Sequence, residues 1–170
     1  MKAFQLTTSI VILLVLIGCE DKSESPDMSV DRYVDLLAAG KYDHWELPDF
    51  TSRDIPKLLT YRDETQLITG FPVNGISSSL TPECSLGMYI LWTVESIRAR
   101  SIGSKFLVGS FPSQNPVIKN RENSEYLDQS AQLQQEVANF YYDWWESNKD
   151  KNFAEFDEID PLADTDYRWH

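Results

Sequence analysis

The sequence predicts an all-α protein, a single compact helical domain of about four helices joined by long irregular connections. Three segments support this fold class, over residues 29–40, 81–100 and 123–148, because apolar residues recur in each of them at helical spacing. Each segment also opens with Ser, Thr or Asn, whose side chains favour the N-cap position of a helix. A fourth, shorter helix is predicted from Thr51 onward.

The first 18 residues have the pattern of a bacterial signal peptide. Lys2 supplies a positive start, and residues 10–17 form an apolar run that is too short to cross a bilayer, which takes about 20 apolar residues. Residues 16–19, Leu-Ile-Gly-Cys, resemble the lipobox of bacterial lipoproteins, in which diacylglycerol is attached to the Cys and cleavage follows before it. The resemblance implies that residues 1–18 are removed and that an acylated Cys19 begins the mature protein.

Residues 19–27 are predicted to be the lipidated N-terminus and a solvated tether, because they contain charges, Ser and Pro and no large apolar residue after the Cys. The folded domain is then predicted over residues 28–170. Two acidic residues directly after Cys19 resemble the export signal of surface-displayed lipoproteins in bacteroidete-type bacteria. We therefore expect a lipid-anchored protein of the Gram-negative cell envelope, at the outer membrane, that contacts the membrane through acylated Cys19.

Net charge argues against two classes of binding partner, and the cysteine count argues against a disulfide. The chain has 27 Asp and Glu against 15 Lys and Arg, a formal net charge of −12. Nucleic acid and anionic lipid headgroups both require a basic surface, so neither is an expected partner. The chain has two cysteines. If Cys19 is acylated, Cys84 has no partner for an intramolecular disulfide.

The first two helices have recognisable ends. Residues 29–40 are predicted to be helical, with Ser29 as the N-cap and Gly40 as the C-terminal stop. The second helix is predicted to begin with a capping box formed by Thr51 and Asp54.

The middle of the chain is predicted to contain a long loop followed by the helix with the clearest sequence signals. Residues 63–80 are rich in Gly, Pro and Ser and predict a long irregular connection, which is the candidate binding surface. The third helix is predicted to open with Thr81 as N-cap and Pro82 at its first position. Its centre is apolar almost all round, so it should be the central buried helix. Residues 101–121 are predicted to be a loop or a brief extended piece.

The last long helix is predicted over residues 123–148. Its core stripe includes Phe140 and Trp144, whereas Trp145 borders that stripe. The C-terminal segment, residues 153–170, mixes aromatic and aliphatic residues with acids, and we expect it to fold back onto the domain.

The C-terminal pattern resembles that of a family of small, uncharacterised lipoproteins from bacteroidete-type bacteria. The residues that carry the resemblance are Trp144-Trp145-Glu146-Ser147-Asn148-Lys149, Asp160-Pro161-Leu162, Thr165, Tyr167 and Trp169. The resemblance covers residues 30–170 and implies an envelope location and a helical fold. It implies no activity and no functional residue.

Catalytic and metal sites have little support in the sequence. Cys84 falls near the start of the predicted third helix, where a helix N-terminus lowers the pKa of a thiol, but a Cys nucleophile also needs a His base. His44 and His170 are the only histidines, and neither lies in a recognisable motif. No catalytic residue is therefore predicted, and an envelope enzyme using Cys84 with His44 and an acid is kept as an alternative. Zinc would need three or four ligands, more than these residues supply.

The acidic C-terminal segment raises the question of calcium binding, and the tryptophans raise that of carbohydrate binding. Four aspartates in that segment lack the ligand order of a calcium loop, so no metal and no cofactor is predicted. These aspartates are Asp157, Asp160, Asp164 and Asp166. Trp45, Trp145 and Trp169 are the candidate exposed aromatic rings for carbohydrate or glycoconjugate binding, which is a second alternative. The main hypothesis is binding or scaffolding, through a surface built from the loop of residues 63–80 and the acidic C-terminal segment, with an envelope protein or a glycan as partner.

Overall fold

The structure, a computed structural model, describes residues 27–77 and 82–170 and shows a mixed α/β fold. The α-helices are α1 (Val30–Ala38), α2 (Ile55–Leu58), α3 (Leu86–Ser101) and α4 (Ala131–Glu146), with 3-10 turns at Ser52–Asp54, Leu59–Tyr61 and Phe153–Glu155. The strands are β1 (Leu67–Thr69), β2 (Glu83–Ser85), β3 (Ile118–Asn120) and β4 (Tyr167–Trp169). The predicted signal peptide, Cys19, the tether up to residue 26 and the predicted N-cap Thr81 lie outside the described residues. No helix of the described ranges is both long and apolar enough to span a membrane.

The all-α prediction is wrong, because the four strands form two antiparallel pairs. β1 pairs with β2, placing Ile68 opposite Cys84, and β3 pairs with β4, placing Lys119 opposite Arg168. Each strand has three residues, which is too short for an alternating apolar pattern to stand out from its surroundings. The strands form because distant parts of the chain are brought together, and periodicity along the sequence does not report such pairing.

Helix α3 is the central helix, as predicted. Fourteen of its sixteen residues are buried, and the fully buried Trp92 stacks on Phe111 with ring centroids 5.5 Å apart. Its start differs from the prediction, because the N-cap is Ser85, whose hydroxyl accepts a hydrogen bond from the Met88 N–H at 3.4 Å. Residues 83–85, predicted to be the first helical turn, pair with β1 instead.

A glycine lets α3 approach its neighbours closely. The Gly87 N–H donates to the Glu64 carbonyl at 2.8 Å, and the side-chain amide of Gln134 on α4 donates to the carbonyls of Arg62 and Glu64 at 3.2 and 3.0 Å. A Cβ atom on Gly87 would lie 2.3 Å from the Arg62 carbonyl oxygen and 2.4 Å from Gln134 Nε2. The turn after α2 and helices α3 and α4 therefore meet at a point that only glycine fits.

The two predicted helix starts near the N-terminus are confirmed. The Ser29 hydroxyl accepts a hydrogen bond from the Arg32 N–H at 3.3 Å at the start of α1. The Thr51 N–H donates to Asp54 Oδ2 at 2.8 Å, in the predicted capping box. Both signals depend on residues three apart, so local sequence is sufficient to specify them.

The last long helix is shorter than predicted. It begins after the N-cap Ser130, whose hydroxyl accepts from the Leu133 N–H at 3.3 Å. The preceding residue, Gln129, instead binds β3, because its side chain accepts from the Ile118 N–H and donates to the Ile118 carbonyl, both at 2.9 Å. Hydrogen bonding to a strand thus replaces the first predicted turns of the helix.

The C-terminal segment folds back onto the domain, as predicted. Phe156 is buried, with its ring centroid 5.3 Å from that of Trp144 and 6.0 Å from that of Trp145. Trp144 is buried, in agreement with the predicted stripe, but Phe140 is exposed and its neighbour Tyr141 is fully buried. In this turn of α4 the buried position is therefore Tyr141 and not Phe140, because Tyr141 faces α3 and hydrogen-bonds Glu95.

Candidate functional site

A cleft of about 650 Å³ lies beside the β3–β4 sheet, near the C-terminal half of α3. Five of its lining residues are Lys or Arg and two are acidic. The cations are Arg98, Lys105, Lys119, Arg121 and Arg168, and the acids are Glu95 and Asp160. One third of the 15 Lys and Arg of this strongly acidic chain therefore line one cavity, which we call the cationic cleft.

Arg98 belongs to a closed network at the floor of this cleft. Its guanidinium donates to both carboxylate oxygens of buried Glu95, at 2.5 and 3.0 Å, and to the Asp157 carbonyl at 3.1 Å. The Tyr141 hydroxyl donates to Glu95 at 2.8 Å and accepts from the Trp169 indole at 2.8 Å. The charge of Arg98 is matched within the fold, so its role is to join α3, α4 and β4.

Arg121 is also engaged by the protein. Its Nη2 donates to Asp160 Oδ2 at 3.0 Å and to the Leu162 carbonyl at 2.8 Å, and its Nε donates to the Thr165 carbonyl at 3.2 Å. These bonds hold the C-terminal segment against the residue that follows β3. Arg121 is therefore a structural cation in the wall of the cleft.

The other three cations, Lys105, Lys119 and Arg168, make no ion pair with any acid in residues 27–77 and 82–170. Lys119 and Arg168 are direct partners in the β3–β4 register, and both line the cleft, so they share one face of the sheet. Like charges directly opposite each other in a sheet are destabilising. The Lys119 ammonium lies 4.5 Å from the centre of the Tyr126 ring, which orients it without neutralising it.

His170 responds to this positive charge. Asn115 Nδ2 donates to its Nδ1 at 2.9 Å, and its Nε2 lies 3.1 Å from the Tyr126 hydroxyl. Burial lowers the pKa of His170 below its usual range, and the charges of Lys119 and Arg168 lower it further. The imidazole is thus a reporter of positive charge in the cleft, because any anion held there would raise its pKa.

The three predicted tryptophans do not form a common platform. Trp45 is 89% exposed on the loop after α1, whereas Trp145 is half-buried against Phe156. Trp169 is only 9% exposed, and its indole is committed to Tyr141. It lines the cationic cleft as part of the core rather than as an exposed ring. This arrangement gives no support to carbohydrate stacking across the three residues.

His44 does not line the cavity that contains Cys84. Cys84 is in β2 rather than in a helix, and it lines a second cavity of about 390 Å³ in which no described lining residue is a histidine. Burial raises the pKa of its thiol well above the usual range, the opposite of activation. The His44 ring packs near Tyr42, with ring centroids 5.3 Å apart.

Within the described part of the chain, no three His, Cys, Asp or Glu side chains are placed to hold a metal ion.

The predicted irregular loop of residues 63–80 contains β1, and its residues 78–80 lie outside the described residues. Asn74 and Ile76 of this loop line the cationic cleft, so part of the predicted binding surface does border this cleft.

No sequence pattern predicted the three cations that form no ion pair with an acid of the described residues. They occur singly along the chain, in a loop, in β3 and in β4, and no motif connects them. Only the β3–β4 register brings Lys119 and Arg168 together.

Comparison with known proteins places the chain in a family. A family model described as Domain of unknown function (DUF4943) matches residues 24–170. The chain belongs to this family. The description of DUF4943 names no activity, which agrees with the predicted membership of an uncharacterised family. No curated protein and no solved structure matches the chain.

Proposed function

We propose that this DUF4943 protein is a lipid-anchored binding protein of the Gram-negative cell envelope, at the outer membrane, and that it holds a small anionic ligand in the cationic cleft. The observation that carries the proposal is the pairing of Lys119 with Arg168 across the β3–β4 sheet, where neither side chain forms an ion pair with an acid of the described residues. An anion between these two side chains would remove their repulsion and accept charge-assisted hydrogen bonds from both.

The cleft suits a small ligand better than a polyanion. Its volume of about 650 Å³ lies within the range of roughly 300 to 1,000 Å³ that is common for small-molecule sites. The rest of the molecule is acidic and would repel an extended polyanion such as nucleic acid. Arg168 offers a planar fork of donors and Lys119 a compact point charge, and this combination suits a phosphate or carboxylate group.

The binding part of the proposal is tested by titrating the full chain, in neutral detergent, with inorganic phosphate at constant ionic strength. We expect a saturable shift of the His170 imidazole resonance, with the His44 resonance reporting general salt effects. Arg168→Gln should weaken binding about tenfold, the equivalent of about 1.4 kcal/mol. Lys149→Gln is the matched control, because Lys149 pairs with Glu146 and does not line the cleft.

Two results would contradict the proposal. One is a His170 resonance that shows no saturable response to phosphate. The other is an equal loss of affinity in Arg168→Gln and Lys149→Gln, which would indicate a general charge effect instead of a site.

The anchoring part of the proposal rests on residues 1–19 and is tested separately. We expect mass spectrometry of the membrane fraction to find a mature chain that begins with acylated Cys19. Cys19→Ser should abolish acylation, whereas Cys84→Ser should leave it unchanged, since Cys84 lies in β2 within the folded domain. An unmodified Cys19 or an unprocessed wild-type chain would disprove anchoring while leaving the binding proposal intact.

A further inference from the structure

The cationic cleft also has an apolar rim. Three large apolar side chains that line it are exposed to solvent, Ile76 by 67%, Phe106 by 63% and Val108 by 38%. Exposed apolar groups that gather around a cavity mark a surface that is covered by a ligand or partner, because leaving them in water is unfavourable.

The chain that carries two of these residues is firmly held at its base. The Ser110 hydroxyl accepts from the Leu47 N–H at 2.8 Å, and Phe111 stacks on Trp92 in the core. The Val108 N–H donates to the Phe111 carbonyl at 3.1 Å and closes a tight turn. Val108 is therefore exposed on an anchored turn. Phe106 lies two residues before it, in a second turn that is closed by the hydrogen bond from the Leu107 N–H to the Ser104 carbonyl at 3.0 Å.

Apolar surface and positive charge occur side by side in this cleft. The Lys105 ammonium lies 5.0 Å from the centre of the Phe106 ring, within cation–π distance. Lys119 and Arg168 line the same cavity from the sheet. A simple inorganic anion would use the charges and leave the apolar rim and most of the volume unfilled.

Resting on the proposed function, we infer that the ligand is an anionic amphiphile. Its oxyanion head contacts Lys119 and Arg168, and a short apolar chain covers Phe106 and Ile76. A free phosphate monoester with an alkyl group and a lipid with a phosphate monoester headgroup share this chemistry.

The experiment compares three probes by isothermal titration calorimetry on the full chain in neutral detergent, with detergent alone as the blank: hexyl phosphate, inorganic phosphate and hexanol. Hexyl phosphate should bind at least about tenfold more tightly than inorganic phosphate, because the alkyl chain buries apolar surface. Phe106→Ala should remove most of that gain and leave the affinity for inorganic phosphate unchanged. Arg168→Gln should weaken the binding of both phosphates.

Trp45→Ala is the matched aromatic control, because Trp45 is the more exposed ring and does not line the cleft. It should change neither affinity. Thermal melts of Phe106→Ala should match wild type, since the Phe106 side chain is exposed, and this makes a folding defect distinguishable from a lost contact.

The outcomes separate the two proposals. If inorganic phosphate binds but hexyl phosphate binds no more tightly, or if Phe106→Ala leaves the gain intact, the amphiphile inference is overturned and the anion site stands. If neither phosphate binds, the proposed function fails as well.

Co-sedimentation with phosphatidylcholine vesicles that do or do not contain phosphatidic acid distinguishes the two sources of the ligand, a lipid and a soluble ester. Extra retention on phosphatidic acid that requires Arg168 indicates a lipid ligand, and its absence alongside hexyl phosphate binding indicates a soluble ester.

Discussion

The two small sheets have the same size and the same antiparallel pairing, but their registers serve different ends. In β1–β2, Ile68 opposite Cys84 is a packing pair, and β2 leads directly into α3. In β3–β4, the central pair is Lys119 opposite Arg168, two like charges that face a cleft. The first sheet stabilises the fold, whereas the second accepts a local repulsion. Proteins commonly break local rules of stability at functional sites, and this contrast is why the cleft is the candidate site.

The sheet that borders the cleft should depend most strongly on Trp169. The Trp169→Ala variant loses a nearly buried ring and the indole hydrogen bond to Tyr141, so we expect about 3 to 4 kcal/mol of destabilisation in urea unfolding. Trp45→Ala, at an exposed ring, should stay within about 0.5 kcal/mol of wild type. A loss below about 1 kcal/mol for Trp169→Ala would show that β4 is peripheral to the fold.

The β1–β2 side should be most sensitive where it joins α3. Gly87→Ala places a Cβ against the Arg62 backbone and the Gln134 amide, so we expect about 2 to 3 kcal/mol of destabilisation. Gly75→Ala is the matched control, because a Cβ at Gly75 meets no atom within 4 Å. Equal unfolding free energies for the two variants would mean that α3 and the turn after α2 are not packed this closely.

Removing one charge of the Lys119–Arg168 pair should stabilise the protein slightly, whereas the two preceding variants destabilise it. Arg168→Gln removes the repulsion with Lys119, so we expect the free energy of unfolding to rise by about 0.5 kcal/mol at low salt. The gain should shrink as salt screens the two charges. A loss of stability in Arg168→Gln would indicate that Arg168 is a structural residue, and the contrast between the two sheets would disappear.

The smallest expected effect is a pH dependence that arises from His170. Its pKa is lowered in the folded state, so the unfolded state binds the proton more readily, and stability falls as pH decreases from about 6.5 towards the folded pKa. Above about pH 6.5 the contribution is fully present. Urea unfolding at several pH values should show that the free energy of unfolding falls less steeply in this pH window for His170→Asn than for wild type. Bound phosphate should raise the pKa of His170 and reduce the fall, and an unchanged profile would contradict this account.

Local sequence determined the features that depend on residues close together in the chain. The caps at Ser29 and Thr51 and the burial of α3 were predicted correctly. The return of the C-terminal segment onto the domain was also predicted, but from its content of apolar residues that need to pack and not from a local spacing. Helical spacing and capping preferences act over one or two turns, so the sequence contains the whole signal. The pattern at residues 1–19 is likewise local, and lipid attachment to Cys19 stays a prediction.

Tertiary structure alone decided the strands and the cleft, and at the start of α4 it acted together with the local N-cap at Ser130. Residues 83–85 are a strand because β1 lies beside them, and α4 begins at residue 131 because Gln129 binds Ile118 in β3. Lys119 and Arg168 meet for the same reason, since the pairing of β3 with β4 joins positions that are far apart in the chain. The free energy of such contacts depends on which segments meet, a property that neither hydrophobic period nor capping pattern records.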